Sequence, residues 1–277
     1  MQNVLEALPI MDLVFKALVT KNKEFLQGLL QGTLSDLPPD ELENPQILNP
    51  ARMISYYDEK AAVVDVKLKT VTLKLVTLEK QRFWKKYLPN RTVYHLADMV
   101  LSQIKKGDSS YHLEDSIVIM ICDFEWDTSL EGYHHIVKLR YKNGQAFMDK
   151  VSVHLLELPK LGNTPDGSLL WHYLKFIQIR TKEEFDMLPL DIPGIEKAWE
   201  DLQRINADEE LREILRMKDM AMRDQNSEVV FEVDAAVEAK EIEVIRNSLL
   251  AGLPTDTICT ITGASLYKIE SVRKTLS

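Results

Sequence analysis

Only two cysteines occur in the 277 residues, Cys122 and Cys259, far apart and each inside an apolar pattern. That excludes a disulfide framework and the paired spacing of a cysteine zinc site, and both read as buried thiols. Ten glycines and eleven prolines exclude a collagen-like or low-complexity chain. There is no P-loop and no glycine-rich dinucleotide fingerprint, so nucleotide-driven chemistry lacks its usual sequence support. The six histidines show no spacing that would turn a pair toward a metal from one helix face. The adjacent His134 and His135 read as ordinary surface or core residues. The longest purely aliphatic stretch, residues 117–122, falls far short of the roughly 20 residues a membrane-spanning helix needs. The first residues have no basic lead-in, and Asp12 interrupts their apolar run, so a secretory signal is not expected. A cytoplasmic protein without a membrane partner is the expectation.

What is present is ordinary for a packed chain: 45% hydrophobic and 28% charged residues, in a length that suits one large domain or two ordinary ones. The net charge of −9 conceals a local reversal. Between Asp65 and Gly107 stand ten basic residues, among them Lys67, Lys69, Lys85, Lys86 and Arg91, against only Asp65, Glu79 and Asp98. This excess of seven positive charges leaves −16 for the rest of the chain. The same island contains Phe83, Trp84, Tyr87 and Tyr94, so it could attract a polyanion and offer stacking surfaces. A solvated helix and hairpin surface fits the linear count equally well.

Residues 11–31 read as one amphipathic helix, ended by Gly32 and Pro38-Pro39. Strand-like alternation follows over residues 62–69 and 72–81, then a helix from Pro89-Asn90 to Lys105-Lys106, stopped by Gly107. Residues 117–123 form a continuous apolar run, as expected of a central strand buried on both faces. Residues 135–141 and 150–158 flank Asn143-Gly144, a strong hairpin signal. Beyond Pro159 the pattern becomes helical, near residues 168–179, 195–205, 208–223 and 235–251. Two short helices across Thr262-Gly263, the second capped by Ser265, make a helix-turn-helix candidate at the end. The expected domains are thus 1–160 and 161–277. On the last helix Lys268, Arg273 and Lys274 are candidates for DNA contact, although such helix pairs also serve as packing caps or dimer contacts. A homo-oligomer through the helical module is the corresponding expectation.

One constellation carries chemistry. In the first of the two strands Asp65 shares a face with Lys67 and Lys69; in the second Thr77, Glu79 and Gln81 share one. A hairpin turning near Val71-Thr72 sets Asp65 almost opposite Glu79 on a polar sheet face. Two carboxylates so placed either hold a hard divalent cation between them or pair with Lys67, Lys69 or Lys80 on an exposed surface.

The order and spacing of these words resemble the recombination-promoting nuclease family, the transposase-like branch of the PD-(D/E)XK nuclease superfamily. The resemblance begins at Asp12-Leu13-Val14-Phe15-Lys16 and runs through Ile47-Leu48-Asn49-Pro50, Lys60, Asp65-Val66 and Glu79-Lys80-Gln81. It continues with Arg91, Tyr94 and Gln103-Ile104-Lys105-Lys106-Gly107, then Leu155 and Glu157-Leu158-Pro159-Lys160, covering about residues 11–160 and, more weakly, the helical tail with its terminal helix-turn-helix-like word. It implies an α/β fold, a PD-(D/E)XK nuclease-like mixed sheet flanked by helices, here followed by the all-helical C-terminal module. The activity it implies is metal-dependent DNA endonuclease chemistry, linked to recombination or mobile elements. By the same resemblance Asp65 and Glu79 bind Mg2+ or Mn2+, with the Lys80 carbonyl a further ligand. Gln81 stands where the superfamily has Lys and orients the attacking water, so the metal and nearby Lys67 or Lys69 must supply more of the charge. Arg91, Tyr94 and Gln103 contact phosphate or brace the site, and Asp12 and Lys16 support it. Two departures stand out. The hairpin lacks the family's usual Gly, and Lys80 replaces an apolar residue that faces the core, so it must snorkel or sit at the strand end. The alternatives are a catalytically silent nuclease-fold protein that binds DNA or assembles, and an acidic helical scaffold if the basic island is scattered in space.

Overall fold

The computed structural model describes residues 4–48, 66–104, 107 and 112–276. Short apolar runs with little polar interruption form the middle of its sheet. β1 (Gln46–Ile47), β2 (Val66–Lys69) and β3 (Leu75–Gln81) pair antiparallel in succession. β4 (Ser116–Cys122), buried along its whole length, lies parallel to β3. β5 (His134–Arg140) and β6 (Ala146–Glu157) form the expected hairpin across Asn143-Gly144, where Gly144 has a φ of 86°. β6 also runs parallel to β4, giving the order β1-β2-β3-β4-β6-β5.

The single helix expected over residues 11–31 is two, α1 (Asp12–Lys21) and α2 (Lys23–Thr33). Asn22 breaks it: its backbone is extended and its side-chain oxygen caps α2 by accepting the Phe25 N–H at 3.0 Å. The Asn22 amide also donates to Gly194 O at 2.8 Å, and Gly194, with φ 75°, has no room for a Cβ against the Phe25 backbone. α3 (Leu88–Ser102) ends before the expected basic last turn; Lys105 and Lys106 lie outside the described residues. α4 (Leu169–Gln178) crosses α2 at Gly28, where a Cβ would fall 1.7 Å from the Tyr173 hydroxyl. α5 (Lys182–Asp186), not expected from the sequence, and α6 (Ile195–Ala207) follow.

α1, α2, α4 and α6 share one core with Val66, Leu68, Val76, Leu78, Ile117, Ile119 and Ile121 of the sheet. The helices after residue 160 therefore complete the sheet's own core, and the first compact unit runs to Arg216 rather than ending near 160. α3 covers the other face, where Met99 and Leu96 pack on Val118, Met120, Val153 and Leu155.

On the α1–α2 side, His134 Nε2 and His154 Nδ1 stand 3.0 Å apart. Burial lowers both pKa values, that of His154 from 6.5 to about 4. Between those pH values the unfolded chain binds a proton that folded His154 refuses, so stability falls as pH drops through that window. One such proton is worth on the order of 1 kcal/mol per pH unit. Urea unfolding of wild type should lose stability more steeply from pH 6.5 to 4.5 than that of His154→Leu. Parallel curves would remove the histidine pair as the cause.

The two helices expected over residues 208–223 and 235–251 are one, α7 (Glu209–Leu250), because no Gly or Pro interrupts the stretch between them. The second compact unit, Met217–Ser277, ends in α8 (Thr255–Thr262) and α9 (Leu266–Lys274). They turn at Gly263 (φ 71°), with Ser265 capping Lys268 N–H at 3.3 Å, and pack Ile258, Ile269 and Val272 around Ile245. This is the expected helix-turn-helix arrangement. Among the described residues no helix is long and apolar enough to cross a membrane.

Candidate active site

Strand alternation at the C-terminal end of β3 sends Glu79 and Gln81 toward α3 and Lys80 to the opposite face. The α3-facing side is not the solvated polar face the alternation suggested. Thr77 is buried there with its hydroxyl on Met99 Sδ, and Glu79 is only 1% exposed. Glu79 Oε2 lies 3.5 Å from the Gln81 amide nitrogen, at the outer limit of a hydrogen bond. Oε1 lies 3.0 Å from His95 Nδ1, close enough for an ion pair but without hydrogen-bond alignment. A buried carboxylate oxygen thus has no hydrogen bond, which is costly for a group of this polarity. His95 in turn accepts from Arg91 Nε at 3.3 Å, one helical turn earlier on α3.

Gln81 pairs in register with Cys122, and Cys122 with Glu157. The row therefore runs from amide to thiol to carboxylate across three parallel strands. Glu157 is fully buried; its Oε2 accepts the Trp126 N–H at 2.7 Å and pairs with Lys160 at 3.0 Å. Lys160 also donates to the carbonyls of Asp127 and Leu130 and so pins the β4–β5 connection. His135 Nε2 stands 3.1 Å from Glu157 Oε1, again without hydrogen-bond alignment. Burial, reinforced by the charges of Glu157 and Glu79, pushes the Cys122 thiol far up, so it is no nucleophile.

Lys80 neither snorkels nor frays. It is fully buried on the α1 side and donates to Asp12 Oδ1 and Ile10 O. Burial pulls its pKa down, and the Asp12 carboxylate opposes that shift. Asp12 is thereby placed on the face opposite Glu79, and Lys16 is buried on the same helix. Lys67 pairs with Asp98 at 2.9 Å, and Lys74 with Asp115 and Glu41, so part of the basic island is spent on scattered ion pairs. Tyr94 is 70% exposed beside His95. Gln103 holds Glu114 N–H, Glu114 O and Ser116 Oγ at the start of β4, the end remote from Gln81 and Cys122. In the second unit Lys268 pairs with Glu241 and Glu238, and Arg273 bonds Glu270 and Thr255. Asp65 lies outside the described residues.

A family model described as a PD-(D/E)XK nuclease family transposase matches residues 9–231. The chain belongs to that family. No curated protein and no solved structure matches it. The PD-(D/E)XK match begins just before α1, takes in the whole sheet and α3 to α6, and continues into α7. It takes in the words at residues 11–160 that carried the resemblance and part of the helical tail.

Among the described residues no three His, Cys, Asp or Glu side chains form a group able to hold a metal ion. What fits a hard divalent cation is Glu79 itself: an oxygen donor, buried and short of a hydrogen bond, on the same face as Gln81. His95 escaped the sequence reading because its link to Glu79 is tertiary; its spacing of four from Arg91 was the available signal. Glu157 and Lys160 were part of the family words, but nothing in the sequence tied them to the row through Gln81.

Proposed function

We propose that the protein is a divalent-metal-dependent DNA endonuclease that hydrolyses phosphodiester bonds in recombination or the movement of mobile elements, acting in the cytoplasm. The observation that carries this reading is the buried Glu79 carboxylate with an oxygen left without a hydrogen bond, in a chain of the PD-(D/E)XK family. Asp65 joins it as the second carboxylate. The β2–β3 register, whose described part ends with Val66 opposite Leu78, supports that pairing. Mg2+ or Mn2+ held by Asp65 and Glu79, with the Lys80 carbonyl, supplies the positive charge and the acidified water that this hydrolysis needs near neutral pH. Gln81 orients the water through its amide. His95 and Arg91 are positioning residues that hold the Glu79 carboxylate from the α3 side. The compact unit that ends at Arg216 carries the chemistry, and the terminal helices serve assembly or DNA contact.

The catalytically silent reading has one observation in its favour. Gln81 is neutral, and Lys80, the adjacent cation, is anchored on the other face by Asp12. Incubation with plasmid and linear duplex DNA separates the two. Cleavage is expected in Mg2+ or Mn2+, none in excess chelator, and none by Asp65→Ala at any metal concentration. DNA binding without cleavage under all metals would select the silent reading, and undiminished cutting by Asp65→Ala would reject the assigned ligand.

A further inference from the structure

Three aromatic side chains from two connections meet at the end of the sheet that carries Gln81. Trp84 lies three residues beyond Gln81, and Phe124 two residues beyond its register partner Cys122. Trp126 is bonded through its backbone to Glu157, the next residue in the same row. Trp84 packs nearly perpendicular to both neighbours, at 5.1 Å from Trp126 and 5.8 Å from Phe124, while Phe124 and Trp126 stack at 6.3 Å. Phe124 and Trp126 are partly buried, whereas 46% of the Trp84 surface stays open.

We propose that Trp84, supported by Phe124 and Trp126, is a stacking platform for an unpaired nucleobase, so that the preferred DNA has a single-stranded segment beside the Glu79 site. The platform stands on the structure alone; its coupling to cleavage rests on the endonuclease reading.

The charges around the rings indicate the partner. From Lys80 to Ala97 the chain contains no Asp or Glu, and it carries Arg82, Lys85, Lys86 and Arg91. An open aromatic ring within a stretch of chain whose charges are all positive matches a base attached to a phosphate backbone. Asp123, Glu125 and Asp127 flank the rings on the β4–β5 connection, so the backbone is directed to the β3–α3 side. Base pairs within a duplex have both faces covered by their neighbours, whereas an unpaired base leaves a face for the indole. The platform is also preorganised. Glu157 and Lys160 fix the connection bearing Phe124 and Trp126 through Trp126 N–H and the Asp127 and Leu130 carbonyls, which limits the ordering cost of binding.

The test uses the full chain in chelator at low salt, with fluorescence anisotropy on three probes of equal length: an oligothymidylate, an abasic strand and a duplex. Wild type should bind the oligothymidylate about tenfold more tightly than the abasic strand, which has the same charge but no base to stack. Trp84→Ala should lose about tenfold on the oligothymidylate and less than twofold on the other two, and Trp84→Phe should keep most of the affinity. Equal affinity of wild type for base-bearing and abasic strands, or no binding to either, overturns the platform whether or not Trp84→Ala folds. Cleavage in Mg2+ is scored separately. Base preference without cutting would reject the endonuclease and keep the platform; cutting without base preference would do the reverse.

Discussion

Glu79→Gln is expected to reduce DNA cleavage by on the order of a thousandfold while leaving the melting temperature unchanged or raised. The exchange keeps side-chain volume and the packing under α3 but removes the negative charge on which the proposed cation binding rests. The same charge is a burden on the fold. Glu79 is shielded from water, and one of its oxygens makes no hydrogen bond. Neutralising a group of this kind relieves a desolvation cost, so activity and stability should move in opposite directions. Circular dichroism melts run beside a plasmid cleavage assay check both halves. A variant that still cuts at the wild-type rate, or that melts well below wild type, would show that Glu79 is an ordinary structural carboxylate.

Asp12→Ala carries the largest expected effect on stability, a loss of about 3 kcal/mol in urea unfolding, because it leaves the Lys80 ammonium buried without its counter-charge. Lys80→Met in the same background should restore most of that loss, since an apolar chain of similar length suits the site. The single variant should also acquire a pH signature. A buried lysine with a lowered pKa binds fewer protons folded than unfolded, so the stability of Asp12→Ala should rise with pH until Lys80 is neutral in both states. An Asp12→Ala protein within 1 kcal/mol of wild type, flat with pH, would mean that water reaches Lys80 and solvates it.

The strands and their pairing were legible where local chemistry determines them. The unbroken apolar run of β4, the Asn143-Gly144 turn and the Ser265 cap each predict their element without outside help. Alternation on β3 placed Glu79 and Gln81 together, but it reports only which residues share a face, not what covers it. The burial of Glu79 under α3 was therefore invisible. Asn22 looked like a polar residue on one helix because the Gly194 carbonyl it meets is 172 residues away. The amphipathic faces of α4 and α6 announced burial without naming the partners, which proved to be α2 and α1, the helices that share the sheet's core. Lys80 was read as a misfit for want of its counter-charge, which α1 supplies from the far side of the sheet.

The order acid, base, amide at the end of β3 has a consequence for how the strand finds its place. A slip of one residue against β2 or β4 turns every side chain of a strand to the other face. Here a slip would bring Lys80 up against the Arg91 and His95 side, and would push the Glu79 carboxylate toward Asp12 and the largest apolar core. Both displacements set like charges together and leave a buried ion without its partner. A neighbouring register is therefore penalised twice by the same two residues, whereas a strand with an apolar residue between Glu79 and Gln81 would be penalised only through its acid. The lysine that departs from the family pattern thus serves as an alignment key, holding the Glu79 carboxylate on the α3 side of the sheet.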